Sequence, residues 1–304
     1  MPQRPRTRIS VSCLALAALV IVSAVSAVSA VVPAGAQGKN FLWKATRGAG
    51  GFYLVGSVHM LAEQYYPLNP ALEAAFKDSD LLVEEIDLDQ MLAPDAQLLM
   101  LKRGMLPADR SLDTVVSPAT FEMVQKRLAA LGLPIEPLKR FKPWSLALTL
   151  LAVEWQKAGF DADLGLDRHF YERARAENKP IQGLETLEFQ ISRFDDLPDA
   201  DQERLLAQTM RELDTQMADV AKLADAWKSG DLESMERLVL QELKADPRMY
   251  ERLLVDRNRN WLPRIDVLAS RPGRAFVVVG AAHLVGPDGL LAMLRAVGFT
   301  VEQL

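Results

Sequence analysis

The sequence predicts a mixed α/β fold in which N-terminal and C-terminal strands share one β-sheet around a large helical middle segment. Three observations point there. Apolar runs of strand length cluster at the two ends of the chain, and helix-period patterns fill the middle. The first two strands form a hairpin, which is marginal alone, so strands from the far end must complete the sheet. Finally, 304 residues with 49% apolar and 25% charged side chains have the balance of a folded globular chain. No repeat of 20–50 residues interrupts this pattern.

The elements follow in order. Residues 41–46 and 52–55 read as strands joined by the glycine-rich turn Gly48-Ala49-Gly50-Gly51. Residues 67–78 read as a helix, with Leu68, Leu72, Ala75 and Phe76 at helical spacing. Residues 81–86 form a short strand ending in acids. Helices are expected at 118–131, 143–158 and 166–178, and a short strand at 179–184. A long helical stretch covers 198–270, cut near Gly230, Pro247 and Pro263. Residues 275–279 read as a buried strand, 290–297 as a helix and 300–303 as the last strand.

Residues 1–36 read as an export signal. Arg4, Arg6 and Arg8 precede an Ala/Val/Leu/Ser run over 11–32, Pro33 breaks it, and Ala34-Gly35-Ala36 offers a small-x-small cleavage site. An uncleaved anchor is the other reading, since 22 residues can span a bilayer, but this run is only weakly hydrophobic. The arginines are not adjacent, and Cys13 lacks the context of a lipidated cysteine. The expectation is a periplasmic or secreted protein with no membrane span after cleavage. Its single domain, 37–304, carries a helical cap or insertion over about 115–270.

Composition narrows the chemistry. A formal charge of −5 excludes the basic surface of a nucleic-acid binder, and one cysteine excludes disulfide frameworks, cysteine-based zinc sites and iron–sulfur clusters. No Gly-x-Ser-x-Gly elbow, phosphate-binding glycine loop or dinucleotide fingerprint occurs. Ser57, beside His59 in sequence, is not thereby a nucleophile paired with a base.

Two of the three histidines share a context. Val55-Gly56-Ser57-Val58-His59 and Val279-Gly280-Ala281-Ala282-His283 each place Gly-x-x-His after an apolar run. Such residues lie beyond the carboxyl ends of strands, where open α/β sheets bind ligands. One such histidine alone reads as a satisfied core residue; the pair reads as a site. Glu84 and Glu85 end a third strand, and strand alternation lets only one of them join the histidines. Two histidines and one carboxylate form a catalytic type of metal shell with a position left open for water. Arg257 and Asn258 stand on a helix, either as a solvated face or as a clamp for a substrate anion. His169 reads as structural. Glu185 reads as a second carboxylate, or as part of a helix start at Thr186.

The two Gly-x-x-His motifs, with Glu84-Glu85-Ile86-Asp87-Leu88 between them, resemble those of the TraB/GumN family, related to the Tiki metalloproteases. The Gly165-Leu166-Asp167 segment, the 179–190 stretch and Arg257-Asn258 are also similar to that family. The likeness runs over essentially the whole chain after residue 41. It implies a Tiki/erythromycin-esterase-like α/β fold and a metal centre with His59, His283 and Glu85 as ligands. The family's acid precedes apolar-Asp-Leu, which matches Glu85 rather than Glu84. The implied ion is manganese, cobalt or zinc. Glu84, Glu185 or a residue of the helical cap would serve as general base, and Arg257 would steady the oxyanion. Two functions are thus expected: an exported metal-dependent, peptidase-like hydrolase acting on a peptide or envelope-derived substrate, or a non-catalytic accessory protein of envelope polysaccharide assembly. A deep cleft with converging His and Glu favours the first.

Overall fold

The computed structural model describes residues 39–304, so the export-signal expectation lies outside the described residues. Six strands form one mixed sheet: β1 (Leu42–Arg47), β2 (Gly50–Ser57), β3 (Leu81–Glu84), β4 (Ile181–Gly183), β5 (Ala275–Gly280) and β6 (Thr300–Gln303), in the order β4-β3-β5-β2-β1-β6. The hairpin β1–β2 is antiparallel, and β6 pairs antiparallel with β1, so the two chain ends do meet in one sheet. Strands β2, β5, β3 and β4 run parallel to one another. Central β5 is buried along its whole length, as a parallel strand covered on both faces must be.

The sheet is flanked by α1 (Pro70–Lys77), α8 (Leu166–Ala176), α13 (Asp256–Asp266) and α14 (Leu290–Ala296). Asn69 starts α1 by accepting from the Ala71 N–H at 2.9 Å, which sets the start three residues later than the sequence pattern suggests. Between β3 and α8 lie α2 (Leu88–Leu92), α3 (Pro94–Gly104), α4 (Leu112–Val115), α5 (Pro118–Leu131), α6 (Ile135–Leu138) and α7 (Pro143–Lys157). After β4 come α9 (Leu187–Asp195), α10 (Asp199–Ser229), α11 (Leu232–Ala245) and α12 (Pro247–Tyr250). Gly230 ends α10 in a left-handed conformation and Pro247 opens α12, as expected.

The expected cut at Pro263 does not occur: Pro263 lies inside α13. Its ring frees the carbonyl of Arg259, and both residues face solvent, where water satisfies that oxygen. Trp261 and Ile265, fully buried on the opposite face, hold the helix together across the proline.

Apolar side chains form separate cores. The main one unites the sheet with its flanking helices. A second, built on Leu112, Val124, Leu128, Leu146, Leu150 and Leu206, belongs to the helical middle. A small third cluster, Ile86, Trp144, Leu187 and Ile191, lies where the middle meets the end of β3. No helix among the described residues is long and apolar enough to cross a membrane.

Candidate active site

Four adjacent parallel strands end at one edge of the sheet, and each delivers a chemical group there. The chain leaving β2 carries His59, the one leaving β3 carries Glu85, the one leaving β5 carries His283, and the one leaving β4 carries Glu185. Glu85 is the point they share. Its Oε1 stands 4.0 Å from His59 Nε2 and 3.9 Å from His283 Nε2, and it accepts the Gly280 N–H at 2.8 Å. Gly280 has no room to spare: a Cβ there would lie 3.1 Å from His59 Nε2 and 3.2 Å from Glu85 Oε1.

The two Gly-x-x-His motifs, alike in sequence, end differently. In the β2–β5 register Gly56 faces Val279 and Ser57 faces Gly280, so the motifs are offset by one residue. His283 then turns inward on a 3₁₀ turn, with a side chain only 7% exposed, whereas the His59 side chain is 62% exposed. Asn258 fixes the His283 ring. The Asn258 Nδ2 donates to the carbonyls of His283 and Asp288, so its Oδ1 accepts from His283 Nδ1 at 2.7 Å. The remaining nitrogen, Nε2, accepts from Arg257 Nη1 at 3.0 Å. Burial, with Arg257 beside it, pushes the His283 pKa down to about 3, so the ring is neutral.

Arg257 is the cation around which the buried half of the site is built. Its Nη2 donates to Glu85 Oε2 at 2.5 Å and to Glu185 Oε1 at 2.8 Å, and its Nε reaches both Glu185 oxygens. A π-helical turn, Glu251–Val255, immediately precedes α13 and sets the phase at which Arg257 enters the site. Burial is the largest single influence and would raise the pKa of Glu85, but Arg257, the two histidines and the Gly280 N–H together outweigh it and hold the carboxyl well below its usual range. Glu185, which also receives the Trp261 indole N–H at 2.8 Å, is raised, because burial there outweighs the same guanidinium.

His59 belongs to the open half. Its Nδ1 donates to Asp167 Oδ2 at 2.9 Å, and Ser57 Oγ donates to Asp167 Oδ1, also at 2.9 Å. Asp167 raises the His59 pKa to about 9 against the opposing effect of desolvation. Gly165 seats this carboxylate against the loop: a Cβ there would lie 2.2 Å from the His59 carbonyl oxygen. Asp167 was legible only as part of the Gly165-Leu166-Asp167 segment, without a role; the geometry gives it one. Ser57 shares an acceptor with His59 and does not bond to its ring. His169 is structural as expected, bonding Glu73 at 3.0 Å.

His59, Glu84, Glu85, Asp167 and Gln190 open onto a cavity of about 390 Å³ that runs under the helical middle. Arg257 and Asn258, expected at the substrate, lie behind Glu85: Asn258 is 0% exposed, and every Arg257 nitrogen bonds within the protein. Neither lines the cavity. Glu84 also lines it, yet both carboxyl oxygens are buried without a partner among the described residues. Burial, with Asp167 nearby, pushes its pKa well above the usual value.

An ion held by His59, His283 and Glu85 would need three free lone pairs at about 2.0–2.2 Å from one point. The separations from Glu85 Oε1 suit two ligands of one ion, but the His283 lone pair is bonded to Arg257 and Glu85 carries the same guanidinium. Among the described residues, no group of three or more His, Cys, Asp and Glu side chains is placed to hold an ion. In this arrangement the set fits a guanidinium rather than a divalent cation.

Known proteins agree on the chain's ancestry. It is 28% identical over 263 residues to the uncharacterized protein YbaP of Escherichia coli K12, covering 85% of this chain and 95% of that one. The Shigella flexneri protein of that name matches to the same extent, and an uncharacterized Treponema pallidum protein is 22% identical over 273 residues, covering 84% of this chain and 80% of its own. No solved structure matches. The profile of the TraB/PrgY/gumN family matches residues 41–303, a span that includes both histidine motifs, Glu85, Asp167 and Arg257, and the chain belongs to that family.

Proposed function

We propose that this chain is an exported hydrolase in which the His59–Asp167 pair activates water for attack on an ester or amide carbonyl. The observation that carries this reading is a histidine whose Nδ1 is bonded to a carboxylate while its Nε2 faces a cavity beside an ionised glutamate. In the neutral ring Nδ1–H points at Asp167, so the lone pair sits on Nε2. A water bonded to both His59 Nε2 and Glu85 Oε1 would span their 4.0 Å separation with ordinary bonds of about 2.8 Å. His59 takes one proton as the water oxygen bonds to the carbonyl carbon, and Asp167 stabilises the resulting imidazolium. The imidazolium returns the proton to the leaving oxygen or nitrogen as its bond to carbon breaks. Arg257 keeps Glu85 ionised, and His283 and Asn258 keep Arg257 in place.

The centre with a manganese, cobalt or zinc ion on His59, His283 and Glu85 is the second reading. The 3.9 and 4.0 Å separations from Glu85 Oε1 favour it; the Arg257–His283 bond opposes it. An accessory role in polysaccharide assembly has less support, because the cavity beside His59 is walled by apolar side chains rather than sugar-binding polar ones.

The test is hydrolysis of an ester and peptide library by the 37–304 chain, with bound metal measured alongside. His59→Ala and Asp167→Asn should each lower the rate about 10²-fold or more with folding unchanged, and chelation should leave the rate intact. An ion at one per chain that is lost in a His59→Ala/His283→Ala double variant would replace this reading with the metal centre. No turnover on any substrate would overturn both.

A further inference from the structure

We propose that the cavity beside His59 binds the hydrocarbon chain of an acyl ester or amide. The inference rests on the hydrolase reading and names its substrate class. The walls come from α2, α3, α7 and α9 and present Leu88, Met91, Met100, Trp144, Leu148 and Phe194. Along α3, α7 and α9 these are mostly the sides of helices, whose interior N–H and C=O groups are bonded within the helix; α2, five residues long, is satisfied in this way only in part. Two polar groups of the wall are engaged, Trp144 Nε1 donating to Asp195 and Gln190 Nε2 to Glu85, while Arg168, also at the wall, keeps its Nη1 buried without a partner among the described residues. An extended peptide entering here would leave water and find no row of main-chain partners, whereas a hydrocarbon chain needs none and gains from burial.

Size and shape agree. An apolar cavity of about 150 Å³ accommodates benzene, so about 390 Å³ accommodates a chain on the order of twelve carbons. The wall methionines are unbranched and adapt to such a chain. Glu84 also borders the cavity, 2% exposed and with both carboxyl oxygens buried. His59 and Glu85 line the same cavity, so the scissile carbonyl of a bound chain comes to the water they would hold. Water adds its oxygen to the acyl carbon, the bond to the alkoxy or amino group breaks, and the proton passes through His59 to that group.

Binding and turnover separate this proposal from the reading beneath it. Binding of N-dodecyl dansylamide, followed by its fluorescence in the 37–304 chain, should be at least tenfold tighter than that of the N-butyl analogue. Para-nitrophenyl dodecanoate should be hydrolysed at least tenfold faster than the butanoate. Leu148→Trp narrows the cavity and should reverse both preferences, with the circular dichroism spectrum showing a folded chain. Tight dodecyl binding without hydrolysis would uphold the cavity assignment and sink the hydrolase reading. Hydrolysis without chain-length preference, or with apolar peptides preferred to acyl esters, would overturn this proposal and leave the hydrolase reading standing.

Discussion

Arg257 is the guanidinium that pairs with both Glu85 and Glu185 in the buried half of the site. Removing one partner of a buried ion pair strands the others, at a cost of about 3–5 kcal/mol. Arg257→Met should therefore lower the unfolding free energy by about that much at pH 7, read from urea midpoints. The sign with pH follows from Glu85, whose folded pKa lies below its unfolded one. The stability it contributes is present above about 4.5 and fades as pH falls through the folded value. In the variant that contribution is gone, so the gap to wild type should narrow below about pH 5; a constant gap would contradict the ion-pair account. His59 titrates in the opposite sense. Its folded value, about 9, lies above the unfolded 6.5, so the stability from its pairing with Asp167 is complete below 6.5 and lost by about 9. Asp167→Asn should drop the His59 titration, followed by imidazole NMR, by well over one unit, and the wild-type hydrolysis rate should climb with pH until about 9. At this scale the sequence shows which side chains matter better than what each one does. His59, His283, Glu85 and Arg257 all stand out by motif and do converge. The division into an open His59 and a sealed His283 depends on Asn258 and Trp261, which reach the ring only through the packing of α13. No spacing in the sequence records that packing.

Strand ends and the turns that leave them decide where those side chains point. Gly165 and Gly280 are both positions where a methyl group has no space, but what it would strike differs. At Gly165 the obstacle is the His59 carbonyl oxygen at 2.2 Å, which moves only if the backbone moves. At Gly280 the nearest atoms are the tips of His59 and Glu85, which can yield. Gly165→Ala should thus cost about 1–3 kcal/mol, as overpacking does, whereas Gly280→Ala should cost less than about 1 kcal/mol. Both should lose most of the proposed hydrolysis, because the second spreads His59 and Glu85 apart. Equal stability losses would show that the strand-end geometry is softer than described. Elements with strong local signals are legible in the sequence: α5 matches its expected 118–131 span, set by Ser117 at one end and a left-handed Gly132 at the other. The sequence does not mark α2 or α3, and it marks α9 only by its start at Thr186. α2 is only five residues long, and α3 keeps Leu98 and Leu101 exposed, so its apolar positions do not mark a single buried face. Those three helices wall the cavity, so its apolar character appears only in three dimensions.

At the scale of the molecule, the separate cores imply separate cooperative units with the cavity at their junction. Leu146 is fully buried in the core of the helical middle, and Val278 is fully buried at the centre of the sheet. The 31-residue α10 is the beam between them. Leu206 near its start packs in the middle core, while Val220, Ala224 and Trp227 near its end pack on the sheet core. Trp227 Nε1 also donates to the Gly56 carbonyl at 2.8 Å, which ties the beam to the strand leading to His59. A large-to-small change in either core removes burial and leaves a cavity, worth about 2–5 kcal/mol for Leu→Ala. Where that loss appears depends on how tightly α10 couples the units. Because the third apolar cluster between them is small, Leu146→Ala should open α5 and α7 to amide hydrogen exchange while β5 stays protected. Val278→Ala should expose the strands and, through Trp227, the C-terminal half of α10. It should also displace His59 and lower hydrolysis, which Leu146→Ala should do only by loosening the far wall of the cavity. If both substitutions raised exchange uniformly over the described residues, the chain would be one cooperative unit, and a helical middle able to loosen over a fixed catalytic edge would have to be abandoned.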